Sequence, residues 1–319
     1  MAFSFTLESL RDSATLVRSV LAPTPQIRWP LLEARLGTEL WVKHENHLPI
    51  GAFKLRGGLV LMSALRERGV RQVIAATKGN HGQSIAFAAR RFGLEATVVV
   101  PHGNNPEKNA AMAALGAVLV EQGHDFQAAL EYARTLATER RAAFVPSYAP
   151  ELVRGVASYA LELFDTAGAL DVVYVPIGLG SGASGVVAVR EALGLATEVV
   201  GVVAEGAPCY ALSFAAKQAV STPTAQTLAD GLACRVPDPD ALEYLLPRVA
   251  AVVTVSDAAI GEAMRHYFTD THNVAEGAGA AALAAALQDR DRLRGHRVGV
   301  VLSGGNVDVA TYARALREG

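Results

Sequence analysis

From residue 71 onward, short continuous apolar runs alternate with longer segments of helical period. Strands are predicted over 73–76, 96–100, 117–120, 143–146, 171–177, 198–204 and 297–302. Between them lie predicted helices over 83–92, 105–115, 126–137, 150–164, 186–193, 258–268 and 277–287. Asn105 followed by Pro106 is a good cap and first turn for one helix, and Gly93 ends another. Strands without polar alternation, separated by helices, indicate a parallel sheet covered on both faces. Ahead of this region come a helix over 6–20, stopped by Pro23 and Pro25, and a short helix over 31–36. A strand over 39–42 then leads into a turn, and residues 59–65 form a buried helix. The α/β pattern resumes on both sides of 71–147 without a linker, so the chain passes between two lobes more than once.

Composition narrows the class. The 319 residues are 51% hydrophobic and 19% charged, which is enough for a large core and too apolar for disorder. A net charge of −2 gives no basic footprint for nucleic acid. Two cysteines, Cys209 and Cys234, form no disulfide framework, and a reducing cytoplasm is expected. The start of the chain lacks a signal peptide's basic end and apolar run, and no stretch approaches the ~20 apolar residues that span a bilayer.

Four segments carry candidate chemistry, each at the end of a predicted strand. The first runs from His44 through Pro49, Gly51 and Ala52 to Phe53-Lys54-Leu55-Arg56-Gly57. A lysine held against apolar neighbours loses hydration of its charged form, so its pKa falls and a neutral amine becomes available for Schiff-base chemistry. The same spacing also suits a lysine that snorkels to solvent. The second, Thr77-Lys78-Gly79-Asn80-His81-Gly82, offers free N–H groups to a carboxylate. The third is Gly178-Leu179-Gly180-Ser181-Gly182-Ala183-Ser184-Gly185, where small residues at a helix start suit a phosphate. Its Gly180-x-Gly182-x-x-Gly185, with Glu205 about 20 residues on, also fits a dinucleotide site and hence a nicotinamide-dependent oxidoreductase. Ser303-Gly304-Gly305-Asn306 is the fourth.

Taken together, these segments resemble the serine/threonine dehydratase family of the fold-type II pyridoxal-phosphate enzymes. Ala229-Asp230-Gly231 and Glu276-Gly277-Ala278-Gly279 fall in that family's order, and the resemblance runs from about Pro25 to Asp308. It implies two open, doubly wound parallel-sheet lobes like those of the tryptophan synthase β chain. Residues 1–70 and 148–319 would bind the cofactor, and 71–147 would close over substrate. Lys54 would hold pyridoxal 5'-phosphate and remove the substrate's Cα proton. Gly178, Leu179, Gly180, Ser181 and Gly182 would cradle the phosphate. Asn80 would bond the ring oxygen, Phe53 would pack beside the ring, and Ser303 would face its nitrogen. Thr77, Lys78, Gly79, Asn80 and His81 would take the substrate carboxylate. A neutral hydroxyl at the ring nitrogen makes a milder electron sink, which suits β-elimination better than transamination. The implied reaction turns threonine, serine or phenylserine into a 2-keto acid and ammonia, in a homodimer. Serine racemase-type and hydroxyaspartate dehydratase activities are the nearer alternatives.

The chain departs from the family pattern in places. Leu179 and Ser181 interrupt a glycine run, Ala52 replaces a serine, and Lys78 stands where a small residue is usual, which argues against racemisation. Glu205 lacks the acidic partner of a divalent-cation site, and the eight histidines form no ligand cluster, so no metal is expected. The short stretch after Asp308 leaves no room for a regulatory domain, so feedback control is not expected.

Overall fold

The computed structural model describes residues 3–317. The ends of the expected cofactor-binding lobe, at 1–2 and 318–319, lie outside the described residues. Ten strands form two sheets. They are β1 (Gln26–Arg28), β2 (Glu39–His44), β3 (Gln72–Ala76), β4 (Glu95–Val100), β5 (Val118–Glu121), β6 (Ala143–Phe144), β7 (Val172–Pro176), β8 (Glu198–Ala204), β9 (Ala251–Val255) and β10 (Arg297–Leu302). The larger sheet has the order β1-β2-β10-β7-β8-β9, with β1 antiparallel to β2 and every other pair parallel. The smaller sheet, β5-β4-β3-β6, is parallel throughout.

The helices are α1 (Leu7–Arg18), α2 (Pro30–Leu36), α3 (Lys54–Glu67), α4 (Asn80–Phe92), α5 (Pro106–Ala114), α6 (Phe126–Arg140), α7 (Pro150–Ala167), α8 (Ser181–Ala192), α9 (Cys209–Ala216), α10 (Pro239–Leu245), α11 (Asp257–Thr271), α12 (Gly277–Gln288) and α13 (Val309–Arg317). They cover both faces of the larger sheet. Leu283 and Tyr267 pack in the core on one side, and Tyr159 and Val187 in the core on the other. Buried on both faces, β7 has no solvent side to mark with polar residues, and so reads as a solid apolar run. The chain leaves the larger sheet through α3 and returns through α7. These two helices cross closely, because a Cβ at Gly155 would lie 2.3 Å from the Arg56 carbonyl.

Asn105 caps α5 as the sequence predicts, accepting from the Glu107 and Lys108 N–H groups. Three helices start three or more residues earlier than predicted: α3 at Lys54, α4 at Asn80 and α8 at Ser181. Each early turn is built from polar or small residues without an apolar period, which hides it from a pattern-based reading. The hydrophobic pattern also passes over β1, β9, α9, α10 and α13, most of them short or lying at an edge.

Candidate active site

Strand-end loops in a parallel sheet are where ligands bind. Here β2, β3, β7 and β10 end at the lysine turn, the Thr77 loop, the glycine loop and the Ser303 loop respectively. Hydrogen bonds join them into one site. Phe53 N–H donates to the Ser303 carbonyl at 3.0 Å, and Gly305 N–H to the Gly51 carbonyl at 2.9 Å. The Asn80 amide nitrogen donates to Glu276 Oε1 at 2.7 Å, linking the two sheets.

Lys54 opens α3, and its Nζ donates to Ser181 Oγ at 3.0 Å, so the amine rests on the first residue of the glycine-loop helix. Burial lowers its pKa to about 8, which favours the neutral amine that a Schiff base requires. The carbonyl of Lys54 accepts from Ser84 Oγ at 2.7 Å, and Phe53 meets Tyr159 edge to face.

The glycine loop has the small residues and open helix start that suit an anion. Gly180 has φ +97°, a left-handed conformation that favours glycine, and it caps α8. A Cβ at Gly178 would lie 2.2 Å from the Gly231 carbonyl, and one at Gly182 would touch the Phe53 ring. Leu179 does not spoil the loop, because its backbone carbonyl accepts from the Tyr210 hydroxyl at 3.2 Å. The first N–H groups of α8 lack helical acceptors, and Ser181, the first residue of α8, adds the hydroxyl that Lys54 Nζ meets. That donor set suits a phosphate adjacent to an amine, and the residues present therefore fit pyridoxal phosphate.

The Thr77 loop behaves differently from residue to residue. Gly79 N–H donates to Thr77 Oγ1 at 3.1 Å, so the free donors are those opening α4 at Asn80, His81 and Gly82. Lys78 turns outward: its side chain is 42% exposed and its Nζ lies 3.8 Å from Asp230. His81 is buried, and neither ring nitrogen has a side-chain or backbone partner within hydrogen-bonding geometry. Ser303 is buried at the end of β10, with Gly304 pressed against the Glu276 carboxyl.

Sequence reasoning gives no role to Glu276, Lys108 or Asp230. Burial raises the Glu276 carboxyl to about 7, against the pull of Lys108 and of the bond from Asn80. Its sequence signal is a carboxylate opening an otherwise small, apolar run. Lys108 Nζ donates to Asp230 at 2.6 Å across the two sheets, and no local pattern marks it. Among the described residues, no three His, Cys, Asp or Glu side chains gather to hold a metal, and no helix is long and apolar enough to cross a membrane.

The buried histidines carry a pH prediction. Burial lowers His44 to about 4, and its Nε2 accepts from Trp29 Nε1. Burial, then the nearby Lys54 charge, lowers His81 to about 3. The unfolded chain binds protons at both below about pH 6.5 while the folded chain refuses them, so stability is full above that pH and falls as pH drops. About 2 kcal/mol per histidine should be lost by pH 5, partly offset by Glu276, whose raised carboxyl takes up its proton in the folded chain before it would in the unfolded one. Urea midpoints at pH 7.5 and 5 check this, and an unchanged midpoint would contradict it.

A lysine facing a phosphate cradle between two parallel sheets defines a Schiff-base enzyme whose cofactor carries a phosphate. The chain belongs to the pyridoxal-phosphate dependent enzyme family, which it matches over residues 17–304. It is 33% identical to the L-threonine ammonia-lyase of Thermotoga maritima over 98% of this chain and 79% of that one. It is 32% identical to the L-threo-3-hydroxyaspartate ammonia-lyase of Saccharomyces cerevisiae over 95% of this chain and 93% of that one. The crystal structure of a T.th. threonine deaminase superposes with TM-score 0.90 at 32% identity, covering 95% of this chain and 99% of that one. The fold is therefore that of the fold-type II enzymes. Family membership accounts for the glycine loop without a dinucleotide, and Glu205 is exposed at the end of β8.

Proposed function

We propose that the protein is a pyridoxal-phosphate-dependent ammonia-lyase that dehydrates and deaminates a β-hydroxy amino acid, with threonine or serine as the default substrate and phenylserine as a bulkier one. The observation that carries the proposal is the 3.0 Å contact between Lys54 Nζ and Ser181 Oγ, which sets the amine beside the phosphate cradle. When bound, the cofactor supplies an electron sink for the negative charge left at Cα. Lys54 Nζ would anchor it, and the same amine would take the substrate's Cα proton. The N–H groups of Gly178, Leu179, Gly180, Ser181 and Gly182 would hold the phosphate, Asn80 would hold the ring oxygen, and Phe53 would pack beside the ring. Ser303 would offer the ring nitrogen a neutral hydroxyl, which would keep the sink mild and favour loss of the β-hydroxyl. The donors opening α4, with Thr77 and His81, hold the substrate carboxylate and fix Cα for proton removal.

Residues 71–147 form the smaller lobe in this reading, closing on 1–70 and 148–319 to exclude water. The active protein is a cytoplasmic homodimer.

A second reading is favoured by Lys108, whose side chain is only 11% exposed and lies against Gly79. With Lys78, it places two ammonium groups near the carboxylate loop, both paired with the single carboxylate of Asp230, and that suits a substrate with a second carboxylate. Assaying keto acid and ammonia from threonine, serine, phenylserine and 3-hydroxyaspartate tests both readings. Turnover of a monocarboxylic substrate is expected. A preference of tenfold or more in kcat/KM for 3-hydroxyaspartate would move the assignment to the second reading, and ammonia from none of the four would sink both.

A further inference from the structure

The amide of Asn80 is held at both ends. Its Nδ2 donates to Glu276 Oε1 at 2.7 Å, and its Oδ1 accepts from Asn306 Nδ2 at 2.8 Å. Asn306 has no freedom to reverse, because its Nδ2 also donates to the Ile50 carbonyl at 2.7 Å. Glu276 is fixed in turn: its backbone N–H donates to the Gly304 carbonyl at 3.1 Å, and the absent Cβ of Gly304 would lie 2.3 Å from its Oε1. A nitrogen spent on two carbonyls can only donate, so Asn306 requires the carbonyl of the Asn80 amide to face it. Asn80 Nδ2 then falls to Glu276 Oε1, which accepts whether or not the other carboxyl oxygen carries a proton, and one N–H of Nδ2 is left uncommitted.

We propose that Glu276 and Asn306 are positioning residues that hold Asn80 so that this remaining N–H, and not its carbonyl, meets the ring oxygen of the cofactor. This rests on the proposed function, in which Asn80 is the ring contact. The buried carboxylate and the terminal-loop asparagine thus tune cofactor binding without touching the cofactor. They also explain why the Ser303 loop and the segment that leads into α12 converge on one small amide at the start of α4.

The test titrates apo-protein with pyridoxal 5'-phosphate, following the visible absorption of the bound cofactor, for wild type, Glu276→Ala, Glu276→Gln and Asn306→Asp. Glu276→Ala and Asn306→Asp should each weaken cofactor binding about tenfold and shift the visible band, since each removes or reverses a partner that orients the amide. Glu276→Gln should recover most of the affinity, because its side-chain carbonyl still accepts from Asn80. It also keeps the buried volume, so the comparison survives if the alanine variant fails to fold. Folded variants that bind as tightly as wild type, with the same band, would overturn the assignment alone. A wild-type protein that takes up no cofactor would overturn the proposed function and this assignment with it.

Discussion

Lys54→Ala is expected to remove turnover by roughly 10³-fold or more, because one nitrogen anchors the cofactor and moves the Cα proton. The purified variant should also lack the visible absorption that added pyridoxal phosphate gives the wild-type protein. Folding should not suffer. Lys54 makes one side-chain hydrogen bond, to Ser181, and burial already lowers its pKa to about 8, so the side chain contributes little to the native state that alanine would forfeit. The urea midpoint of the variant should therefore match or exceed that of the wild type at neutral pH. A yellow, active Lys54→Ala protein would refute the role. An inactive variant that had also lost its cooperative unfolding would show only that the lysine turn is structural.

Much of this site is legible in the sequence because its chemistry lies at strand ends, and strand ends follow from the apolar runs. Ser303 directly follows β10 and the glycine loop begins two residues after β7, while Asn80 and Lys54 lie four and ten residues beyond β3 and β2, so the family resemblance is needed to single out Lys54. What does not show is partnership across the chain. Lys108 and Asp230 are 122 positions apart, and Asn80 and Glu276 are 196 apart, so no local period links them. Helix starts are hidden for a related reason: α8 begins in Ser181-Gly182-Ala183, which packing and the cradle define, not hydrophobic spacing. Lys78 is the reverse case. Its place in a motif suggests substrate contact, but no motif shows that its half-exposed side chain brings Nζ to 3.8 Å from Asp230, the carboxylate that also pairs with Lys108.

The second large effect lies beneath the site. Arg56, two residues from Lys54, is fully buried and binds both Glu45 and Glu162, its Nε reaching Glu45 Oε2 at 2.6 Å and its Nη2 reaching Glu162 Oε2 at 2.8 Å. Lys43, equally buried, donates to the same Glu162 oxygen at 2.6 Å. Two cations face two anions, and Thr24 and Ser158 fill remaining positions on the guanidinium. Burial alone would raise the Glu162 carboxyl, yet the bonds and charges of Arg56 and Lys43 bring it below the usual carboxylate range. Arg56→Leu would leave two buried carboxylates with one cation, and breaking a buried pair in this way costs about 3–5 kcal/mol. Arg56→Lys should recover only part of that, since an ammonium cannot repeat the planar fork that engages both carboxylates. Urea unfolding measures both losses. The network also ties β2, the first turn of α3 and α7 together, so a folded Arg56→Leu protein should bind pyridoxal phosphate more weakly than wild type, because Lys54 starts from the turn that Arg56 pins. Near-native stability in Arg56→Leu would mean that water reaches the carboxylates, and the network would then be dispensable to the lysine turn.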